Sequence, residues 1–163
     1  MTDAHETLSA HGGARVRVPP PAVFFIATVL GVALHLFVHP LRLPLPTVVR
    51  LALGAALAAA ATALVATTFG HFRRTGQDPA PWKPSPALIV EGPYRFSRNP
   101  MYLGVVCTQI ALGVLLNQLW ISALALPALA VVHVIAVRPE ERYLRATFGD
   151  AYDAYCRRVR RYI

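Results

Sequence analysis

Residues Glu91–Gly104 read Glu-Gly-Pro-Tyr-Arg-Phe-Ser-Arg-Asn-Pro-Met-Tyr-Leu-Gly. The stretch passes from a proline-rich, arginine-bearing segment into an apolar one, and the turning point is Asn99-Pro100. Proline suits the first turn of a helix, where its missing N–H leaves no bond unmade. From Tyr102 the chain is apolar to Leu116; Asn117-Gln118 then intervene, and a second apolar block runs from Leu119 to Val137. So short a polar break between two apolar blocks predicts an antiparallel helical hairpin. Such a hairpin returns the chain after Val137 to the side on which Glu91–Asn99 lies.

Upstream, Ala22–Val38 is an apolar block of about 17 residues, near the lower limit for crossing about 30 Å of hydrocarbon. His39-Pro40 ends it. Thr47–Phe69, about 23 residues, carries one charge, Arg50, close enough to its start to snorkel to the interface. Its small residues from Gly54 onward suit close helix contacts and predict the helix at the middle of a bundle. Pro127 is expected to kink the last block. Charged residues make up 15% of the chain, against about 25% in soluble domains, which excludes a soluble domain. The net charge of +8 lies between and beyond the apolar blocks, where anionic headgroups are met, so nucleic acid is a poor partner for it. Cys107 and Cys156 have no metal-type spacing and read as inert thiols, and no metal site is expected.

The fold class is therefore an all-α integral membrane protein. About four transmembrane helices (22–38, 47–69, 102–116 and 119–137) are joined by an ordered cytosolic loop over 70–101. An amphipathic helical segment follows over 138–163. Residues 1–21 read as a loose cytosolic tail ahead of a single domain over 22–163. The loop is proline-rich, yet Trp82, Leu88, Ile89, Val90, Tyr94 and Phe96 are too apolar for a solvated linker. In the tail Leu144, Phe148, Tyr152, Tyr155 and Val159 recur at helical spacing, with Gly149 placed to break the helix. Such a helix belongs on a membrane surface or against the loop. The turn at Asn117-Gln118 has no charge and the link Pro40–Pro46 has only Arg42. The positive-inside rule thus puts both termini, the loop and the charged tail in the cytosol. The arginine and alanine bias points to a bacterial inner membrane.

The loop offers Tyr94, Arg95, Arg98, Asn99 and Tyr102, and the tail offers Arg138, Glu140 and Glu141. Arginine forks onto carboxylate or phosphate, aromatics offer faces to a planar ring or a cation, and glutamate accepts from ammonium or hydroxyl groups. Together they suit a ligand with an anionic group, a cationic group and a planar base. A structural reading stands beside this one: Arg98 as an interfacial anchor, Tyr94 and Tyr102 as an aromatic belt, Glu140 as a partner of Arg138. No nucleophile elbow, phosphate loop or dinucleotide fingerprint is present.

Gly92-Pro-Tyr-Arg-Phe-Ser-Arg-Asn-Pro-Met-Tyr-Leu-Gly, then a hairpin, then Glu140-Glu141 and Phe148-Gly-Asp-Ala-Tyr-Asp-Ala-Tyr, resembles the isoprenylcysteine carboxyl methyltransferase family. Its superfamily includes the phospholipid N-methyltransferases. The resemblance covers about half the chain, Pro79 to Arg161. It implies a multi-pass membrane enzyme that uses S-adenosylmethionine and takes a lipophilic small molecule or lipid from the bilayer. Carried over by position, it implies cofactor contacts from Pro86, Ala87, Leu88, Ile89, Tyr94, Arg98, Asn99, Pro100, Met101, Tyr102 and Glu140.

Two departures limit it. Asn99 stands where the family has histidine and cannot titrate near neutral pH. Ala136 stands where the prenylcysteine enzymes place a substrate arginine, leaving Arg138 as a candidate substrate contact. Which residue, if any, is catalytic stays open, because an ionised carboxylate, thiolate or free amine needs mainly positioning and a dry pocket. Two other readings carry over: an NADPH-dependent membrane reductase of the sterol-reductase type, and a non-enzymatic binding protein built on the same scaffold.

Overall fold

A computed structural model describes residues 13, 14, 16 and 18–163, and all its regular structure is helical. The helices are α1 (Pro20–Phe37), α2 (Thr47–Arg74), α3 (Pro100–Leu116), α4 (Leu119–Ala123), α5 (Ala125–Val132) and α6 (Arg138–Arg158). A 3₁₀ turn covers Gly92–Arg95 and a π-helical turn covers His133–Val137. Among the described residues α1, α2 and the run Leu119–Arg158 are long and apolar enough to cross a membrane, while α3, with 17 residues, is apolar but shorter. The expectation of about four apolar helices is met, and with it that of a membrane protein. Most of the expected tail over 1–21 lies outside the described residues.

The chain divides into two compact units. One, made of residues 19–65 and 101–132, holds most of the apolar helix. Small residues set its packing. A Cβ on Gly31 of α1 would come within 2.9 Å of the Ile121 backbone in α4, and one on Gly54 of α2 within 2.7 Å of the Leu115 side chain in α3. The sequence placed α2 at the middle of a bundle, and the structure corrects this. Over its apolar length only Gly54, Ala61 and Thr68, seven residues apart, are buried, and most of its other side chains face outward. An alanine-rich surface needs no protein cover in lipid, whose tails are as apolar as the side chains.

The α3–α4 turn explains itself from its residues. Asn117 takes a left-handed conformation (φ 56°). The Asn117 N–H donates to the Val114 carbonyl at 3.2 Å and that of Gln118 to the Gly113 carbonyl at 2.8 Å, the paired bonds that close many helices. Asn117 Oδ1 accepts from Leu43 N–H at 2.9 Å. Arg50 does not simply reach for the interface: its Nη1 donates to the carbonyls of Val114 and Leu115 and caps α3. Further on, Pro127 has no N–H for the Ala123 carbonyl. The helix is interrupted at Leu124, and the ladder resumes where Ala128 N–H donates to the Leu124 carbonyl at 3.0 Å.

The second unit comprises residues 66–100 and 133–163, with the described residues before Pro19. Helix α2 does not stop at Phe69, as the apolar pattern suggested, but continues to Arg74. Its true end is at Gly76 (φ 66°), with Gly76 N–H donating to the Arg73 carbonyl at 3.3 Å and Gln77 N–H to the Phe72 carbonyl at 2.9 Å. The loop that follows is ordered. Asp78 Oδ1 accepts from Ala80 N–H at 2.9 Å, and the Ser85 N–H donates to the Tyr143 hydroxyl at 3.0 Å. Ala14 is buried and its N–H donates to the Pro81 carbonyl at 2.8 Å, so this part of the amino-terminal segment packs on the loop. Gly149 breaks α6 at φ 49° and ψ −125°. Tyr152 and Tyr155 are buried on the expected apolar stripe.

Candidate active site

The loop and α6 line an open cleft within the second unit, with a cavity of about 50 Å³ at its base. The loop supplies Ala87, Leu88, Ile89, Tyr94, Arg98 and Asn99, and α6 supplies Glu140, Glu141, Leu144, Tyr152 and Tyr155. Phe72, Gln77 and Ser85 complete the wall. The π-helical turn immediately precedes α6, and Arg138 and Pro139 open the charged helix before Glu140.

The loop is held to α6 and the residues after it by polar bonds centred on Arg98 and Glu141. Arg98 Nη2 donates to Glu141 Oε1 at 3.0 Å, and Nη1 to the Cys156 carbonyl at 3.3 Å. The Arg98 N–H donates to the Arg160 carbonyl at 3.0 Å. Arg161 completes a bidentate contact on Glu141, with Nη2 2.7 Å from Oε2 and Nε 2.9 Å from Oε1. Burial pushes the Glu141 carboxyl up, but the Arg161 and Arg98 guanidinium groups outweigh it and hold the group below the usual carboxylate range. Asn99 Nδ2 donates to the Arg161 carbonyl at 3.0 Å, and Ser97 Oγ accepts from Asn99 N–H at 3.1 Å. Asn99 therefore works as a clamp between the loop and the carboxy-terminal residues.

Tyr94 has two neighbours that fix it. Its carbonyl accepts from the Tyr155 hydroxyl at 2.7 Å, and its ring meets Phe72 edge-on, with centroids 6.2 Å apart. Burial, with the nearby Glu140 charge, pushes the Tyr94 phenol well above its ordinary range, so it stays protonated. Gly92 lets this turn form: it is left-handed (φ 57°), and a Cβ there would overlap the His71 imidazole. A side chain at that position would push the turn off the end of α2.

The residues singled out by sequence divide cleanly. Ala87, Leu88, Ile89, Tyr94, Arg98, Asn99 and Glu140 line one cleft. Pro86 is exposed and outside the lining, and Pro100 is fully buried at the start of α3. Met101 and Tyr102 belong to the other unit, with Tyr102 buried. Arg138, proposed as a stand-in for the arginine missing at Ala136, is exposed and outside the lining, whereas Ala136 is fully buried. Sequence reasoning missed Phe72, Gln77, Tyr152 and Tyr155. For Gln77 a signal existed, since Gly76 marks a helix end and fixes the residue after it. Tyr152 and Tyr155 were visible only as an apolar stripe. Among the described residues no group of three or more His, Cys, Asp or Glu side chains is placed to hold a metal ion.

Residues 49–151 match the phospholipid methyltransferase family, a stretch that includes the loop, the hairpin and Glu140. The chain belongs to this family. That family is one of membrane methyltransferases related to the isoprenylcysteine carboxyl methyltransferases. The family match stops just before Tyr152 and Tyr155, which close the cleft from the second half of α6. The chain is also 30% identical over 72 residues to the cobalt-zinc-cadmium resistance protein CzcN of Cupriavidus metallidurans. That alignment covers 44% of this chain and 33% of the relative, so the chain spans about a third of the relative's length.

Proposed function

We propose that this protein is a membrane methyltransferase that uses S-adenosylmethionine and methylates a small lipophilic acceptor, bearing a carboxylate, thiol or amine, at the cytosolic face. The observation that carries the reading is the shared cleft: Leu88, Ile89 and Tyr94 of the loop meet Glu140, which lies beyond the helical hairpin. The fit of the donor rests on the polar atoms of that cleft. Gln77 Nε2 and Arg98 Nε are buried without a hydrogen-bond partner among the described residues, and a buried unpaired donor costs stability until an acceptor arrives. Arg98 suits the carboxylate of the donor's amino-acid end and Glu140 its ammonium or ribose hydroxyls, while Tyr94 and Phe72 offer apolar faces to its base. When bound, the group supplies a methyl on a sulfonium, ready for in-line attack.

The residues of this chain position the reactants and keep water away. Tyr94, held protonated, adds no competing anion to the cleft. Asn99 cannot act as a base, so an ionised carboxylate, thiolate or free amine would attack without proton transfer to that position. The acceptor, a lipid or apolar metabolite, enters from the bilayer, and membrane lipids contact the outward apolar faces of α1 and α2. Both termini lie in the cytosol, and the host membrane is a bacterial inner membrane.

Thermal unfolding of the purified protein in detergent, with and without ligand, tests the reading. A ligand at a hundred times its Kd stabilises the folded state by about 2.7 kcal/mol. S-Adenosylmethionine should raise the melting temperature and NADPH should leave it unchanged. Glu140→Ala should remove that shift while the protein stays folded. No shift with S-adenosylmethionine, or an undiminished one in Glu140→Ala, would sink the proposal.

A further inference from the structure

We propose that Gln77 reads the base of the methyl donor, its carboxamide pairing with the amine-bearing edge of adenine. The inference rests on the reading above and adds a specificity residue to it. Gln77 is only 7% exposed, lines the cleft, and has its Nε2 buried without a partner. No hydrogen bond joins its carboxamide to another described residue, and the buried Nε2 donor is left uncommitted among them. Buried carboxamides in folded proteins are nearly always paired. This one is kept for something else.

Its backbone is fixed by the end of α2. The Gln77 N–H donates to the Phe72 carbonyl at 2.9 Å, and the Asp78–Ala80 turn holds the chain on the other side. Phe72 lines the same cleft and meets Tyr94 edge-on, with the rings at 84°. Two aromatics and a neutral carboxamide suit a flat, uncharged, hydrogen-bonding ring. The charged groups of the cleft, Arg98, Glu140 and Glu141, suit the ionic end of a ligand instead. A carboxamide offers one donor and one acceptor side by side. Adenine presents the matching pair, an exocyclic amine beside a ring nitrogen, which is why Gln and Asn pair with adenine in other settings. Gln77 Oε1 then accepts from the amine, and Nε2 donates to the ring nitrogen.

The test uses S-adenosylhomocysteine, which has no methyl to transfer, and its purine analogue with the ring amine replaced by hydrogen. Binding to the full-length protein is measured by calorimetry. The unmodified protein should prefer the adenosyl compound about tenfold or more, because the analogue leaves a polar group of the site unpaired. Gln77→Met, of similar volume, should weaken S-adenosylhomocysteine about tenfold and reduce the preference to about twofold. Its unliganded melting temperature should be unchanged or higher, since a buried unpaired donor has been removed; a purely structural glutamine would give the opposite sign. Gln77→Glu, which keeps an acceptor for the amine and loses the donor, should bind more weakly but retain the preference. Full affinity or full preference in Gln77→Met overturns the inference and leaves the proposed function standing. Failure of the unmodified protein to bind S-adenosylhomocysteine removes both.

Discussion

The two units of this protein are held together by different means. The apolar unit relies first on close approach, Gly31 against Ile121 and Gly54 against Leu115, with side-chain bonds such as those of Arg50 and Gln109 to backbone carbonyls added to it. The loop unit relies on polar bonds between distant parts of the chain. Arg98, Ser97 and Asn99 all engage the stretch from Cys156 to Arg161. The reason lies in the solvent. In lipid, burial gives no hydrophobic gain between helices, so packing must supply the affinity. At the aqueous face a proline-rich loop cannot form a hydrogen-bond ladder of its own. It borrows carbonyls and carboxylates from the helix beyond the hairpin. The site is built where this borrowing occurs.

Breaking the loop unit should therefore cost most. Arg98 and Glu141 side chains are 12% and 13% exposed. Removing one member of a largely buried pair costs about 3–5 kcal/mol when the other is left uncompensated. Arg161 still contacts Glu141, so loss of Arg98 falls toward the lower end of that range. Arg98→Ala should lose about that much in chemical unfolding and abolish S-adenosylmethionine binding, because the loop loses its hold on α6. A variant with near-normal stability would mean that Arg161 alone satisfies Glu141.

How much of this was legible in the sequence follows the same division. The helices were, because long apolar blocks and a two-residue polar break leave few alternatives. The end of α2 was misplaced by five residues, since the apolar pattern fades at Gly70 while the helix runs on to Arg74. Hydrophobicity marks where lipid ends; the paired bonds at Gly76 and Gln77 mark where the helix ends. The exposed face of α2 was misjudged because small residues were read as packing on every side, whereas only one stripe is used. In the site, Tyr94, Arg98, Asn99 and Glu140 were legible as chemistry. Glu141 was noted but not chosen, and only the geometry shows it holding two arginines. Gly76 marked the helix end beside Gln77, but that its carboxamide nitrogen is buried without a partner among the described residues shows only in three dimensions.

The apolar unit should be broken by volume rather than by charge. Gly31→Val puts a branched side chain where even a Cβ meets the Ile121 backbone at 2.9 Å. Overpacking of this kind costs about 1–3 kcal/mol. Ala59→Val on the exposed face of α2 adds the same kind of group where nothing crowds it and should change stability by less than about 0.5 kcal/mol. Equal losses in the two variants, measured by unfolding in one detergent, would show that side-chain volume alone, and not close helix approach, sets the tolerance.

Arg50 gives the smallest and most pointed test, because it is a polar lock inside the apolar unit. Its Nη1 donates to the Leu115 carbonyl, left without an intrahelical partner where α3 ends, and to the Val114 carbonyl, which also accepts from the Asn117 N–H. A cation at a helix carboxy terminus contributes about 0.3–1 kcal/mol, more when partly buried. Arg50→Gln should therefore cost about 1 kcal/mol, and Arg50→Lys, which keeps the charge but not the fork, should recover part of it. Neither variant should change the affinity for S-adenosylmethionine, since Arg50 belongs to the unit that does not line the cleft. Loss of affinity at unchanged stability would mean that the α3 cap is felt at the cleft, and the division of labour between the two units would then fail.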